Sequence, residues 1–172
     1  MNAQLLFYLS GGIAVLASLL VITNKNAVHA LLYLVTSLLA LALCFYLLGA
    51  PFAAALQIIV YAGAIMVLFV FAVMLFNINH RDIDRENQWL RWHIWVGPSL
   101  LVMILMAELL LVLKLSPHEG GQQVALVDAR AVGSLLFGPY LLAVEIASFL
   151  LLAGLVGGYH LAKSLPTMGG SK

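Results

Sequence analysis

The run FAAALQIIVYAGAIMVLFVFAVMLF, residues 52 to 76, contains 25 residues and no charge. A hydrocarbon core about 30 Å thick is crossed by about 20 helical residues rising about 1.5 Å each, and within it the backbone must satisfy its own hydrogen bonds. A run of this length and content therefore reads as a membrane-crossing helix. Working outward, four more runs meet the same test, at residues 3–22, 28–48, 94–113 and 139–161. The expected fold class is all-α, an integral membrane protein with five transmembrane helices forming a single membrane domain over residues 1–172. The composition agrees: 64% of residues are hydrophobic, 9% are charged, and the mean hydropathy is +1.08.

The breaks between the runs carry turn and cap chemistry. Thr23-Asn24-Lys25-Asn26-Ala27 separates the first two, and Gly49-Ala50-Pro51 makes a tight turn before the third. Residues 77–93 form a mixed-charge loop with Arg81, Asp82, Asp84, Arg85, Glu86 and Arg91, and residues 114–138 form a second long loop. Lys25, Arg81, Arg85, Arg91, Lys163 and Lys172 fall on one side and Lys114 and Arg130 on the other, six of the eight cations against two. The excess marks the cytoplasmic side, which puts the N-terminus and loop 114–138 outside and the C-terminus and loop 77–93 in the cytoplasm. Nothing basic precedes Lys25, so the first run reads as a retained helix and not as a cleaved leader. Trp89, Trp92 and Trp95 recur where the fourth helix enters the membrane and read as interface anchors.

A net charge of +1 gives no electrostatic footing for nucleic acid. Cys44 is the only cysteine, which excludes an internal disulfide and a cysteine-ligated metal or iron-sulfur site; it reads as a small packing residue. His29, His80, His93 and His160 lack the spacing and helper acid of a metal site, and no phosphate loop or nucleophile elbow occurs, so neither metal nor catalytic residue is expected.

The polar residues inside the apolar runs are the candidates for function. A carboxylate in hydrocarbon costs about 2.5 to 3.5 kcal/mol on insertion scales, so it requires a partner, a proton or water. Glu108 lies six residues before Lys114 and Glu145 six after Pro139, which puts both about 9 Å inside the outer boundary. Gln57 reaches a similar level on the third helix, with Tyr61 four residues on along the same face. Three polar groups at one depth suggest a wet pocket or proton path, or a contact with other membrane chains. The plainest reading of Glu108 is a side chain near enough to the interface to stay hydrated. Ala62-Gly63-Ala64 narrows the third helix; close packing is the simplest reading, and a π-bulge, which re-aims a turn of side chains, is the functional one.

Asn26-Ala27-Val28-His29-Ala30-Leu31-Leu32-Tyr33-Leu34, the run from Ala55 to Phe69 with YAGAIMVLF at its heart, and Val144-Glu145-Ile146-Ala147-Ser148 with Leu150-Leu151-Leu152 together resemble the J-subunit family of the proton-pumping NADH-quinone oxidoreductases, respiratory complex I. The resemblance is close over the first three helices and the fifth and weak in the fourth and the long loops. It implies a non-catalytic membrane-arm subunit in a bacterial inner membrane, partnered by the quinone-site and antiporter-like subunits. NADH, FMN, iron-sulfur clusters and quinone would be held in other chains, and this chain would hold no cofactor. It also implies a π-bulge around Tyr61 to Gly63 whose switching gates a hydrated path, with Tyr61, Gly63, Met66 and Phe69 as gate residues. Two positions depart from the family pattern: Ala27 stands where many members have Pro, and Gln57 where some have Glu, so no titrating role is expected at residue 57. A small transporter or channel component and a purely structural assembly subunit are the rival readings.

Overall fold

The computed structural model describes residues 3–24, 27–76, 92–114 and 127–163. Helix α1 spans Ala3–Thr23 and α2 spans Ala27–Leu47. The third span opens with α3, Pro51–Leu56, continues as a π-helical segment, Gln57–Ile65, and closes with α4, Met66–Phe76. Helix α5 spans Trp92–Lys114, α6 spans Ala129–Leu136 and α7 spans Leu141–Lys163. Among the described residues five helices are long and apolar enough to cross a bilayer, as the sequence predicts. Trp89 and most of loop 77–93 lie outside the described residues, as do Lys25 and Lys172.

Two compact units divide the chain at Val127. In the first, α2 is the helix against which α1, the whole third span and α5 all pack. The α1–α2 contact is built from small residues: Ala14, Ala17 and Ala40 are buried, which lets the two backbones approach closely enough for dispersion and hydroxyl bonds to hold them. Ser37 Oγ donates to the Ala14 carbonyl at 3.1 Å, and Ser18 Oγ meets Ser37 Oγ at 2.9 Å. Since the single Ser37 hydrogen serves Ala14, Ser18 is the donor of the second bond. Toward one end of this unit Leu6, Ile13, Leu43, Leu105 and Val112 make the apolar core between α1, α2 and α5.

Helix α2 ends in a paired cap. The Gly49 N–H donates to Tyr46 O and the Ala50 N–H to Phe45 O, each at 3.0 Å, with Gly49 at φ 81°. These are the two bonds of a Schellman stop, whose left-handed position glycine occupies without a Cβ penalty. Pro51 follows as the first residue of α3, where its missing N–H costs nothing. The tight turn expected at Gly49–Pro51 is thus the end of one helix and the start of the next.

The second unit holds α6 and α7. Part of the stretch read as loop 114–138 is helical, because Asp128 caps α6 by accepting from the Ala131 N–H at 2.9 Å. The sequence signal was an aspartate followed by good helix formers; eight residues were too few to show a period.

Candidate functional site

The third span enters and leaves as a regular helix and widens between. At its upstream end the Gln57 N–H reaches the carbonyls of Ala53 and Ala54, four and three residues back. At the downstream end the Met66 N–H reaches Tyr61 and Gly63, five and three residues back. Nine residues, Gln57-Ile58-Ile59-Val60-Tyr61-Ala62-Gly63-Ala64-Ile65, therefore run in the rare π register. Two features of the sequence favour the wider turn. Ile58, Ile59 and Val60 are consecutive β-branched residues, whose second γ-atoms crowd a regular turn. Gly63 presents only hydrogen to the carbonyl five residues back, and a Cβ there would stand 3.3 Å from Ile58 O.

The residues of this region face in different directions. Gln57 is buried against α2 at the start of the segment, and Met66 is buried at its end with 2% of its surface exposed. Tyr61 and Phe69 point outward, each 52% exposed. The chain thus places Gln57 and Met66 inward and leaves the tyrosine and phenylalanine to whatever lies beside the span.

Glu108 departs from the hydrated reading. It is only 2% exposed, packed within protein on the face of α5 that also carries Leu105 and Val112. Its partner is Ser10 of α1: Ser10 Oγ and Glu108 Oε1 are 2.5 Å apart, and Oε2 is buried without a partner. Ser10 is the residue that sequence reasoning missed. It stands 98 positions away on a helix with no other signal than a hydroxyl in an apolar run. Glu145 belongs to the second unit, where it is exposed on α7 and its carbonyl accepts from Ser148 Oγ at 2.7 Å.

At the start of α2, His29 is buried with both ring nitrogens unpartnered, and its ring meets Trp95 edge to face at 6.3 Å between centroids. Trp95 therefore packs on the histidine while half of its surface stays outside.

Residues 17–161 match the sequence model of the family described as NADH-ubiquinone/plastoquinone oxidoreductase chain 6. The chain is 59% identical over 157 residues to NADH-quinone oxidoreductase subunit J of Pseudomonas aeruginosa, covering 91% of this chain and 95% of that one. It is 53% identical over 157 residues to the protein of that name from Escherichia coli, covering 91% and 85% of the two chains. The same name belongs to a relative from Buchnera aphidicola, 45% identical over 161 residues, 93% of this chain and 98% of the other. The alignment takes in the π segment, the Glu108 helix and α7 alike, and at these identities over nine-tenths of the sequence the chain belongs to the NADH-ubiquinone/plastoquinone oxidoreductase chain 6 family, as a relative of the bacterial J subunits.

Proposed function

We propose that the chain is a non-catalytic membrane-arm subunit of a proton-pumping NADH-quinone oxidoreductase in a bacterial inner membrane, and that it couples quinone reduction to proton translocation through a change of helical register in its third span. Its partners are the quinone-site and antiporter-like subunits, which with the rest of the complex hold NADH, FMN, iron-sulfur clusters and quinone. The N-terminus faces outward and the C-terminus the cytoplasm.

The observation that carries the reading is the π register at Gln57–Ile65 inside an uncharged membrane span. A π segment holds one more residue than the regular helix it interrupts. Relaxing it shifts one flank against the other by a residue, which is about 100° of rotation and about 1.5 Å of travel. That is a two-state element. It would swing Phe69 and Tyr61 about the axis and lift Met66 from its seat, opening or closing a path lined by bulky apolar groups. Gln57, Glu108 and Glu145 are the polar groups from which a proton path in or beside this chain could be built.

The test is Gly63→Val in the assembled complex. A side chain against the Ile58 carbonyl penalises the π register, so NADH oxidation continues while the protons moved per NADH fall severalfold. Unchanged pumping in a fully assembled complex would assign the chain a scaffold role instead.

A further inference from the structure

Ser10 Oγ lies 3.0 Å from the Leu6 carbonyl and 2.5 Å from Glu108 Oε1, with Ser10 fully buried. A hydroxyl has one hydrogen to give. Were the carboxyl ionised, Ser10's one hydrogen would have to be split between two acceptors or given to one of them, which leaves at least one contact under-bonded. A carboxyl that carries its own proton closes the count: Glu108 O–H donates to Ser10, and Ser10 O–H donates to Leu6 O. The 2.5 Å separation fits an O–H···O bond of either charge type, so the proton count decides and not the length.

The surroundings point the same way. Glu108 Oε2 is buried without a partner, a modest cost for a carbonyl-like oxygen and a heavy one for an oxygen bearing charge. Among the described residues no cation pairs with Glu108. The titratable group of α2 within its field is the Cys44 thiol, which brings no positive charge. From α1 the group facing it is Ser10, and on its own helix Lys114 is six residues on, about 9 Å along the axis.

We propose that Glu108 is a proton-binding site within the helix bundle, whose loaded form ties α5 to α1 through one directed chain from the Glu108 carboxyl to the Ser10 hydroxyl to the Leu6 carbonyl. Release transfers the proton from the carboxyl oxygen to water as base, forming hydronium and a carboxylate. Ser10's single hydrogen then turns to the carboxylate, and the directed chain to the Leu6 carbonyl is broken. The site is separate from the π segment and stands or falls independently of the register change proposed above.

The experiment is infrared spectroscopy of the full chain in lipid nanodiscs at neutral pH, comparing the parent with Glu108→Gln and Ser10→Ala, with helix content checked by circular dichroism. The parent shows a protonated-carboxyl band, Glu108→Gln removes it, and Ser10→Ala moves it. Absence of any such band in the folded parent overturns the proposal. So does a Glu108→Gln spectrum that retains the whole band. If the glutamine variant does not fold, Ser10→Ala alone decides: a displaced band supports the site and an unmoved one sinks it.

Discussion

Met66 and Phe69 stand three residues apart on the same helix and answer to different forces. Met66 is buried and Phe69 is half exposed. Between helices in lipid there is little hydrophobic gain to lose, so Met66→Ala removes packing contacts and leaves a partial cavity, a loss of about 1–2 kcal/mol. Phe69→Ala leaves the fold of the isolated chain within about 0.5 kcal/mol. Thermal unfolding of the two variants in the same detergent checks the ordering. In the assembled complex the expectation reverses in kind: Phe69→Ala alters proton pumping at an unchanged rate of NADH oxidation if its ring acts as part of a gate. At this scale the sequence was legible where chemistry was out of place. Glu108 stood out because a carboxylate in an apolar run has to be explained, whereas Ser10 was invisible, since a lone hydroxyl can always bond its own helix and gives no sign of a distant partner.

Among the elements, the helices were legible because membrane thickness sets their length and a charge-free run of that length has few other fates. Their terminations were legible where glycine and proline mark them. Gly49 at φ 81° predicts that Gly49→Ala destabilises the α2–α3 turn by about 1–2 kcal/mol, with Gly49→Asn milder because asparagine tolerates the left-handed region. Protease accessibility of the turn, or unfolding of the full chain, ranks the two. The extent of the π segment was not legible. Gly63 between two alanines fits close packing as well as a widened turn, and the register depends on backbone bonds that leave no residue signature of their own. Helix α6 escaped for the opposite reason: one capping aspartate and eight residues fall below the length at which periodicity speaks.

At the scale of the whole chain, most of the third span in the first unit, and most of α7 taken within the second, carry exposed apolar side chains. Lipid accepts such faces, but not Glu145. An exposed carboxylate at a helix position of this kind costs about 3 kcal/mol on insertion scales unless a neighbour or water receives it. Glu145→Leu is therefore expected to ease membrane insertion of the lone chain and to weaken its retention in the assembled complex, read as the amount of subunit that stays with NADH-oxidising material through detergent purification. Equal retention would mean that no companion protein holds this residue. The outward faces also explain why the sequence disclosed the class of the protein before its contacts: burial by companion chains leaves the same apolar signature as burial by lipid. The Schellman stop at Gly49 adds a mechanical consequence. With Pro51 starting α3 directly after that stop and Ala54 and Gln57 buried, the upstream half of the span is held, and under the proposed register change it would serve as a stator. Torque released at Gln57–Ile65 by the proposed register change would then pass downstream and turn α4, whose residues 67–75, beyond the buried Met66, are half-buried or exposed.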